Sequence, residues 1–248
     1  MIEQRCGFEA VYLKGDVYVF GGRNKASNFV KSVEKYSPST NEWTVVTNMI
    51  DERLYLCACA FINKIFILGG YFYNNHGGFS TNSSCLEFNT KCDNFKEITR
   101  MNEARERAAC AVYRGNVVVS GGLDNDDNEL NSAEYYDAFA YEWTPMPNMV
   151  NSHSDHSLVV VKDKLLVVGQ GTDCCEVFDV ICKKFVAIKH QVSLTFSKCV
   201  QTSNKLLVFR EKSSSVICYD VDKDEWSEEL CEITEDIYAF SLTKLPQY

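Results

Sequence analysis

The stretch Asp16–Trp43, DVYVFGGRNKASNFVKSVEKYSPSTNEW, joins an apolar strand pattern, a glycine doublet, a polar loop and an aromatic pair, Tyr36 and Trp43, seven positions apart. An apolar run followed by such a pair recurs four more times. The later pairs are Phe88 and Phe95, Tyr136 and Trp143, Phe178 and Phe185, and Tyr219 and Trp226. Because only 12% of the residues are aromatic, five pairs in register indicate a true internal repeat.

The period of the repeat predicts the fold. Successive second aromatics are 52, 48, 42 and 41 residues apart. Each unit reads as four short strands rich in Val, Ile, Tyr and Phe, separated by Gly, Asn, Asp and Ser turns. This pattern is typical of one β-propeller blade per unit and predicts an all-β fold. The predicted four-stranded repeats cover about 5–48, 53–100, 105–148, 153–190 and 194–232.

Glycine doublets follow the second strand pattern in the first three units, at Gly21-Gly22, Gly69-Gly70 and Gly121-Gly122. Glycine suits a point where the backbone must turn or bulge close beside its neighbours. The last two units replace the doublet by Gly169-Gln170-Gly171 and Phe209-Arg210. The aromatic pairs persist in all units, and we expect their rings to fill the wedge between adjacent sheets.

On these doublets and aromatic pairs the chain resembles the kelch repeat family over essentially its whole length. The resemblance implies a kelch β-propeller that acts as a protein-interaction module. It also implies that the loops after the glycine doublets and the loops into each next innermost strand share one face, where the family usually binds partners.

The two ends of the chain carry incomplete repeat units. Met1-Ile2-Glu3-Gln4-Arg5 matches the phrases that start at Met49 and Met101 and lead into the next innermost strand. At the other end, the segment 237–243 reads as one extra innermost strand. We therefore expect most of a six-bladed ring, completed by strands encoded upstream of Met1 as in kelch-like proteins. A five-bladed ring with a spare strand is the alternative.

Composition limits the classes of partner. The net charge of −9 repels phosphate backbones, so nucleic acid is not expected as a partner. No apolar run approaches the length of a membrane span and no signal sequence is recognisable, which predicts a soluble, cytoplasmic protein without membrane contact. The 12 cysteines favour packing over a disulfide scaffold, because Cys57, Cys59 and Cys110 alternate with alanines in innermost-strand patterns.

The sequence lacks the common catalytic motifs for nucleophile elbows, phosphate loops and zinc proteases, so we expect neither an enzyme nor a cofactor. His153 and His156 flank Asp155, but no further ligand lies at a diagnostic spacing, and we interpret them as a surface cluster instead of a metal site. Cys174-Cys175 lacks the Cys-x-x-Cys spacing and is interpreted as a thiol pair without a redox role.

The acidic run Asp124-Asn125-Asp126-Asp127-Asn128-Glu129 resembles the start of a calcium loop. However, Glu129 stands where the sharp turn needs glycine, and Tyr135 where a bidentate glutamate belongs. A solvated loop is the favoured interpretation. An acidic contact for a basic partner is the alternative.

The candidate partner-binding residues lie in the loops of the expected binding face. Arg53 and Arg105 recur at equivalent positions, which favours a structural role, whereas Arg107 has Tyr55 and Asp155 as its counterparts. By resemblance to kelch-like adaptors, this variable position points to the ligand, and a guanidinium suits carboxylate recognition. The ring-rich loop from Tyr71 to His76 is a second candidate. The full candidate set is Arg53, Tyr55, Tyr71, Tyr73, His76, Arg105, Arg107, Asp124, Asp126, Asp127, His153 and Asp155.

The resemblance implies the substrate-recognition propeller of a cullin-RING ubiquitin ligase adaptor, with BTB and BACK regions upstream that would bind the cullin. An actin-binding cytoskeletal propeller is the first alternative. A kelch-fold enzyme is a disfavoured second one, because no ligand set is apparent in the sequence.

Overall fold

The computed structural model describes residues 1–73, 78–169, 175–188, 198–201, 205–209, 215–223 and 225–230. In these ranges the chain forms 22 β-strands and contains no helix long and apolar enough to cross a membrane. The strands group into five four-stranded sheets and one two-stranded hairpin. The prediction of an all-β propeller with four-stranded repeats is confirmed.

Each sheet is one blade, with its strands in antiparallel neighbour order. Blade 1 contains β1 (Arg5–Leu13), β2 (Asp16–Asn24), β3 (Ser32–Ser37) and β4 (Glu42–Asn48). Blade 2 spans β5 (Cys57–Phe61), β6 (Lys64–Leu68), β7 (Tyr71–Tyr73), β8 (Phe79–Thr81), β9 (Cys85–Asn89) and β10 (Asn94–Ile98). Blade 3 contains β11 (Ala109–Tyr113), β12 (Asn116–Ser120), β13 (Ala133–Asp137) and β14 (Glu142–Pro145). Blade 4 contains β15 (Ser157–Val161), β16 (Lys164–Val168), β17 (Cys175–Asp179) and β18 (Lys184–Ile188). Blade 5 contains β19 (Lys198–Gln201), β20 (Lys205–Phe209), β21 (Ser215–Asp220) and β22 (Glu225–Leu230).

The first strands of all five blades surround one central cavity of about 430 Å³. Cys57, Cys59 and Cys110 line this cavity on β5 and β11, in agreement with the innermost position predicted for them. The extra strand expected at 237–243 lies outside the described residues. In blade 2, β7 and β8 form a separate hairpin that the sequence pattern did not predict.

The aromatic pairs face each other across the third and fourth strands of each blade. All five pairs, from Tyr36 and Trp43 to Tyr219 and Trp226, are direct cross-strand partners. Their ring centroids lie between 4.7 and 5.3 Å apart. The seven-residue spacing therefore arises because the two rings of a pair face each other across one hairpin turn. Such cross-strand ring pairs stabilise a sheet.

These rings also pack between blades, as predicted. Phe88 of blade 2 lies 5.7 Å from Phe20 of blade 1 between ring centroids. Phe66 of blade 2 lies 6.0 Å from Tyr136 of blade 3. Trp143 is buried, and its Nε1 donates to the carbonyl oxygen of Thr99 at the end of blade 2 at 2.8 Å. The wedges between blades therefore form the hydrophobic core.

The glycine doublets sit where one blade contacts the next. Both glycines of each doublet have positive φ, for example +58° at Gly121 and +100° at Gly122. A Cβ added to Gly121 would lie 2.3 Å from the carbonyl oxygen of His153, at the start of blade 4. The Gly122 amide donates to that same oxygen at 2.7 Å. Glycine is required here by both backbone conformation and close approach.

Candidate partner-binding face

Two kinds of loop meet at one end of the propeller. The β4–β5 loop pairs with the start of β7 through Leu54 and Tyr71, whose backbones exchange hydrogen bonds of 2.8 and 2.7 Å. The β10–β11 loop pairs in the same way with the β12–β13 loop through Glu106 and Leu123. The amide of Thr81 also donates to Oδ1 of Asn125 at 2.7 Å. These loops of blades 1 to 3 form one continuous surface, here called the loop face.

A buried frame of arginine side chains supports the loop face. Arg53 and Arg105 are 0% and 1% exposed. Nη1 of Arg53 donates to the carbonyl oxygens of Gly69 and Ser84, and Arg105 donates in the same way to Gly121 and Ser132. Arg53 and Arg105 are therefore parts of the frame and do not belong among the candidate contact residues. A guanidinium can satisfy several carbonyl oxygens at once, which explains the recurrence of arginine.

Buried glutamates complete this frame in three blades. Glu34, Glu134 and Glu176 occupy equivalent positions on the third strands and are at most 2% exposed. Each accepts hydrogen bonds from backbone amides of the loop that leads into the first strand of a blade. Glu34 pairs with Arg5 at 2.5 Å and Glu134 pairs with Arg105 at 3.2 Å. The carboxylates thus hold the loop ends at a fixed place.

In blade 4 a histidine replaces the arginine of this frame. His153 Nε2 lies 3.0 Å from Oε1 of Glu176, and His153 is 3% exposed. His156 is 2% exposed, and its Nε2 lies 2.9 Å from the Ser120 hydroxyl. The interpretation of these histidines as a surface cluster was wrong, because both rings are packed inside. His153 is therefore a part of the frame and not a contact residue.

Equivalent residues of successive blades are linked by a chain of backbone hydrogen bonds. The amide of Tyr55 donates to the carbonyl of Gly7 at 3.0 Å, Arg107 to Tyr55 at 2.9 Å, and Asp155 to Arg107 at 3.0 Å. All four residues have φ between +49° and +66°. Because the backbone makes these contacts, the side chain can vary from glycine to tyrosine, arginine and aspartate. Left-handed conformations of non-glycine residues cost free energy and concentrate at functional sites.

The side chains of this row contact one another. The guanidinium of Arg107 lies 4.0 Å from the centre of the Tyr55 ring, and Nη1 donates to Oδ2 of Asp155 at 2.7 Å. The side chains of Arg107 and Asp155 are about one third exposed. The sequence suggested that Arg107 binds a carboxylate of the partner, but Nη1 of Arg107 already donates to Asp155. A carboxylate from a partner would have to compete with this ion pair.

Aromatic rings cluster beside this row. Tyr71 stacks on Phe79 with centroids 5.2 Å apart, and Tyr73 and Phe29 meet Phe79 edge-on at 5.2 and 5.6 Å. Tyr73 is 54% and Phe79 51% exposed. Sequence reasoning found the tyrosines but not the contribution of Phe29, which comes from blade 1. His76, the remaining candidate of this loop, lies outside the described residues.

The acidic run of blade 3 forms a closed turn. Oδ1 of Asp124 accepts hydrogen bonds from the amides of Asp126 and Asn128 at 2.8 and 2.9 Å. The hydrogen bonds from the side chain and the amide of Asn128 hold the pKa of Asp124 below its ordinary value. Asp126 and Asp127 are exposed. In the part of the chain that the structure describes, no group of three or more acidic, histidine or cysteine residues could hold a metal ion. The solvated-loop interpretation fits this geometry.

Glu106 is a feature of the loop face that sequence reasoning missed. Its side chain is only 8% exposed, and Oε1 lies 3.8 Å from Nε of Arg107, too far for a hydrogen bond. Among the described residues, Oε2 has no hydrogen-bond partner. Burial, which Arg107 only partly offsets, raises the pKa of Glu106 to about 7, with Asp127 and Asp155 adding to the rise. Glu106 could have been found by aligning the residues that follow each frame arginine or histidine, because the equivalent residue in blade 2 is a leucine, Leu54.

Comparisons with known proteins agree with this architecture. A family model described as the KLHDC2/KLHL20/DRC7 Kelch-repeats domain matches residues 1–171. The chain is 28% identical over 145 residues, 58% of its length, to Kelch repeat protein C2 of Vaccinia virus (strain Western Reserve). It is 26% identical over 155 residues (61%) to human Kelch-like protein 23 and 29% over 174 residues (68%) to Kelch-like protein 26 of Danio rerio. The match spans 26 to 28% of the length of these relatives.

Proposed function

Because this chain belongs to the Kelch-repeat family and is a protein-interaction propeller, we propose that it recognises a protein substrate for a cullin-RING ubiquitin ligase through its loop face. In this proposal the propeller acts in the cytoplasm by binding and not by catalysis. The cullin would be contacted through BTB and BACK regions that are not part of this chain.

The observation that carries the proposal is the cluster of exposed rings on the loop face. Tyr73 and Phe79 each leave about half of their surface in water although they lie against other aromatic rings. Contiguous exposed apolar surface of this kind marks interaction sites. Tyrosine is among the residue types that contribute most to protein–protein affinity. The Arg107–Asp155 ion pair lies on the same face and adds polar groups of both signs.

Affinity capture from cells under proteasome inhibition tests the proposal. The full-length protein is compared with Tyr73→Ala and Phe79→Ala, each of which should lower the affinity for the substrate by about 2 kcal/mol or more. Phe139→Ala is the matched control, since Phe139 is 80% exposed in the β13–β14 turn at the opposite end of the propeller. The control should capture the same proteins as the wild type.

The outcomes separate the candidate functions. Captured ligase subunits, together with a substrate that accumulates when the gene is removed and is lost by both loop-face variants, would support the adaptor function. Capture of filamentous actin alone would replace it by the cytoskeletal alternative. An equal protein set for all three variants would exclude the loop face as the binding surface.

A further inference from the structure

The position of Glu106 does not need a carboxylate for folding. Its counterpart in blade 2 is Leu54, which is 4% exposed and exchanges two backbone hydrogen bonds with the neighbouring loop, as Glu106 does with Leu123. In blade 4 the counterpart is Ser154, whose hydroxyl donates to Glu129 at 2.6 Å. This backbone pairing is therefore compatible with an apolar residue, and the equivalent position of blade 4 holds a small polar residue that has its own partner.

The Glu106 carboxylate is instead buried with one oxygen unpaired. Oε2 has no hydrogen-bond partner among the described residues, and the nearest cation, at Nε of Arg107, lies 3.8 Å from Oε1. Nε of Arg107 likewise lacks a hydrogen-bond partner there. Native proteins rarely leave a buried carboxylate unpaired, because its lost hydration is not replaced. Such a group is a candidate for contact with a ligand.

The surroundings of Glu106 favour a cationic ligand. Asp127 and Asp155 lie on two other segments of the loop face and repel a negative charge on Glu106. Arg107 is the one basic side chain among the groups that act electrostatically on Glu106. Arg107 is also drawn toward Asp155 and the Tyr55 ring. Three carboxylates against one guanidinium leave the site negative, and like charges placed together favour a compensating cation.

The apolar rings of the loop face lie next to this site. Tyr71 is within electrostatic reach of both Glu106 and Asp127. It stacks on Phe79, which in turn contacts the exposed ring of Tyr73. A side chain bound at Glu106 would therefore have large apolar surface beside it. Lysine and arginine combine a cationic head with an apolar stem, and both parts match this arrangement.

We propose that Glu106 is the anchor for a lysine or arginine side chain of the protein partner, with Tyr73 and Phe79 holding an adjacent apolar residue. This inference rests on the proposed function of the loop face and assigns the chemistry of its ligand. It reverses the sequence-based hypothesis that Arg107 recognises a carboxylate, because Asp155 already pairs with Arg107.

Peptide selection on the full chain tests the inference without knowledge of the partner. A library of random peptides displayed on phage is selected against the wild type. The enriched peptides are then measured against Glu106→Leu, Glu106→Gln, Tyr73→Ala, Phe79→Ala and the control Glu142→Gln. Leucine is the residue that blade 2 uses at this position, so Glu106→Leu should fold with a melting temperature equal to or above that of the wild type. Glu142→Gln is the matched control, because it removes an exposed carboxylate at the start of β14, next to the β13–β14 turn and away from the Glu106 site.

Peptides that bind the wild type should share a lysine or arginine next to an apolar residue. Their affinity should fall about tenfold or more with Glu106→Leu and Glu106→Gln, since removing one partner of a hydrogen-bonded charge pair has effects of that size. Glu142→Gln should leave the affinity nearly unchanged. Replacing the basic residue of the peptide by norleucine should weaken binding to the wild type but not to Glu106→Leu.

The acid–base behaviour gives a second readout. The titratable and charged groups that act electrostatically on Glu106 are Asp127, Asp155, Arg107 and Tyr71. The pKa of Glu106 is about 7, so raising the pH through 7 ionises it. Peptide affinity should therefore increase over this range for the wild type and stay level for Glu106→Leu.

Different results would contradict the Glu106 anchor and the proposed function of the loop face. Peptides that need Tyr73 but bind Glu106→Leu as well as the wild type would overturn the anchor and leave the loop face as the binding surface. Binders that are indifferent to Tyr73, Phe79 and Glu106, or a selection that enriches nothing, would overturn both.

Discussion

In blade 3 a buried arginine, Arg105, and in blade 4 a buried histidine, His153, occupy the same position and contact the same kind of carboxylate, Glu134 and Glu176. Arg105 also donates to the carbonyl of Gly121 at 2.6 Å. The histidine has only two ring nitrogens and makes fewer contacts of this kind. In these two blades the position thus supplies a donor to the buried glutamate, while the arginine also binds the glycine doublet.

Blade 4 also differs electrostatically from blade 3, because it has a buried histidine where blade 3 has an arginine. Arginine stays protonated at any ordinary pH, whereas histidine titrates near neutrality. His156 lies beside His153 with ring centroids 5.6 Å apart, and burial holds the pKa of His156 well below its ordinary value, with His153 adding to the effect. The junction between blades 3 and 4 is therefore sensitive to pH, whereas the frame of blade 3 is not.

The largest difference between the two blades is expected when the frame side chains are removed. Arg105→Ala should destabilise the protein by about 3 to 5 kcal/mol, because Glu134 would be left buried with an uncompensated charge. His153→Ala should cost about 2 kcal/mol, the usual contribution of a hydrogen bond to a charged group, since Glu176 keeps the amides of Val150 and Asn151. Urea unfolding at neutral pH measures both. Equal losses would show that the arginine and the histidine are energetically equivalent.

A smaller effect is expected where blade 3 touches blade 4 through its glycine doublet. Gly121→Ala should cost about 2 to 4 kcal/mol, because a left-handed φ is unfavourable for alanine and the new Cβ would press on a backbone carbonyl of blade 4. Gly115→Ala is the matched control. It also has positive φ, but no atom lies within 4 Å of the added Cβ, so only about 1 kcal/mol of conformational cost is expected. Thermal unfolding of both variants separates clash from strain, and equal losses would contradict the close contact.

The smallest expected effect is the dependence of stability on pH, which arises from the histidines of blade 4. Since the pKa of His156 is lower in the folded than in the unfolded state, the unfolded chain binds more protons once the pH falls below about 6.5. Stability should therefore fall on acidification by at most about 1.4 kcal/mol per pH unit, until the pH reaches the folded pKa of His156.

Glu176 extends this loss to lower pH. Burial alone would raise its pKa, but the hydrogen bonds from His153, Val150 and Asn151 outweigh burial and hold the pKa below its ordinary value. Its contribution is therefore present above about 4.3, the unfolded pKa, and lost as the pH falls through the folded pKa. Urea titrations of the wild type and His156→Gln over this range are the measurement. An unchanged slope in the variant near pH 6 would show that His156 is not the group responsible.

The amino-acid sequence alone was enough to predict the repeat architecture. The aromatic pairs, the glycine doublets and the strand patterns predicted five four-stranded blades, because each of these signals arises from contacts within one hairpin or across one repeat. Tyr136 and Trp143 are seven positions apart because they face each other across a single turn. Local spacing is enough to find such a contact. The predicted loops of the binding face also correspond to loops that touch one another in the structure.

Which candidate side chains are available on that face depends on the folded arrangement of the blades and could not be predicted from the sequence. Arg53, Arg105 and His153 are among the sequence-based candidates but are buried, since their partners are carbonyl oxygens and carboxylates far away along the chain. Arg107 is reached by Asp155 across 48 residues. Glu106 becomes unusual only when its burial and its unpaired oxygen are known. Hydration, burial and long-range pairing depend on how the blades are placed around the cavity, and no spacing within the sequence carries that information.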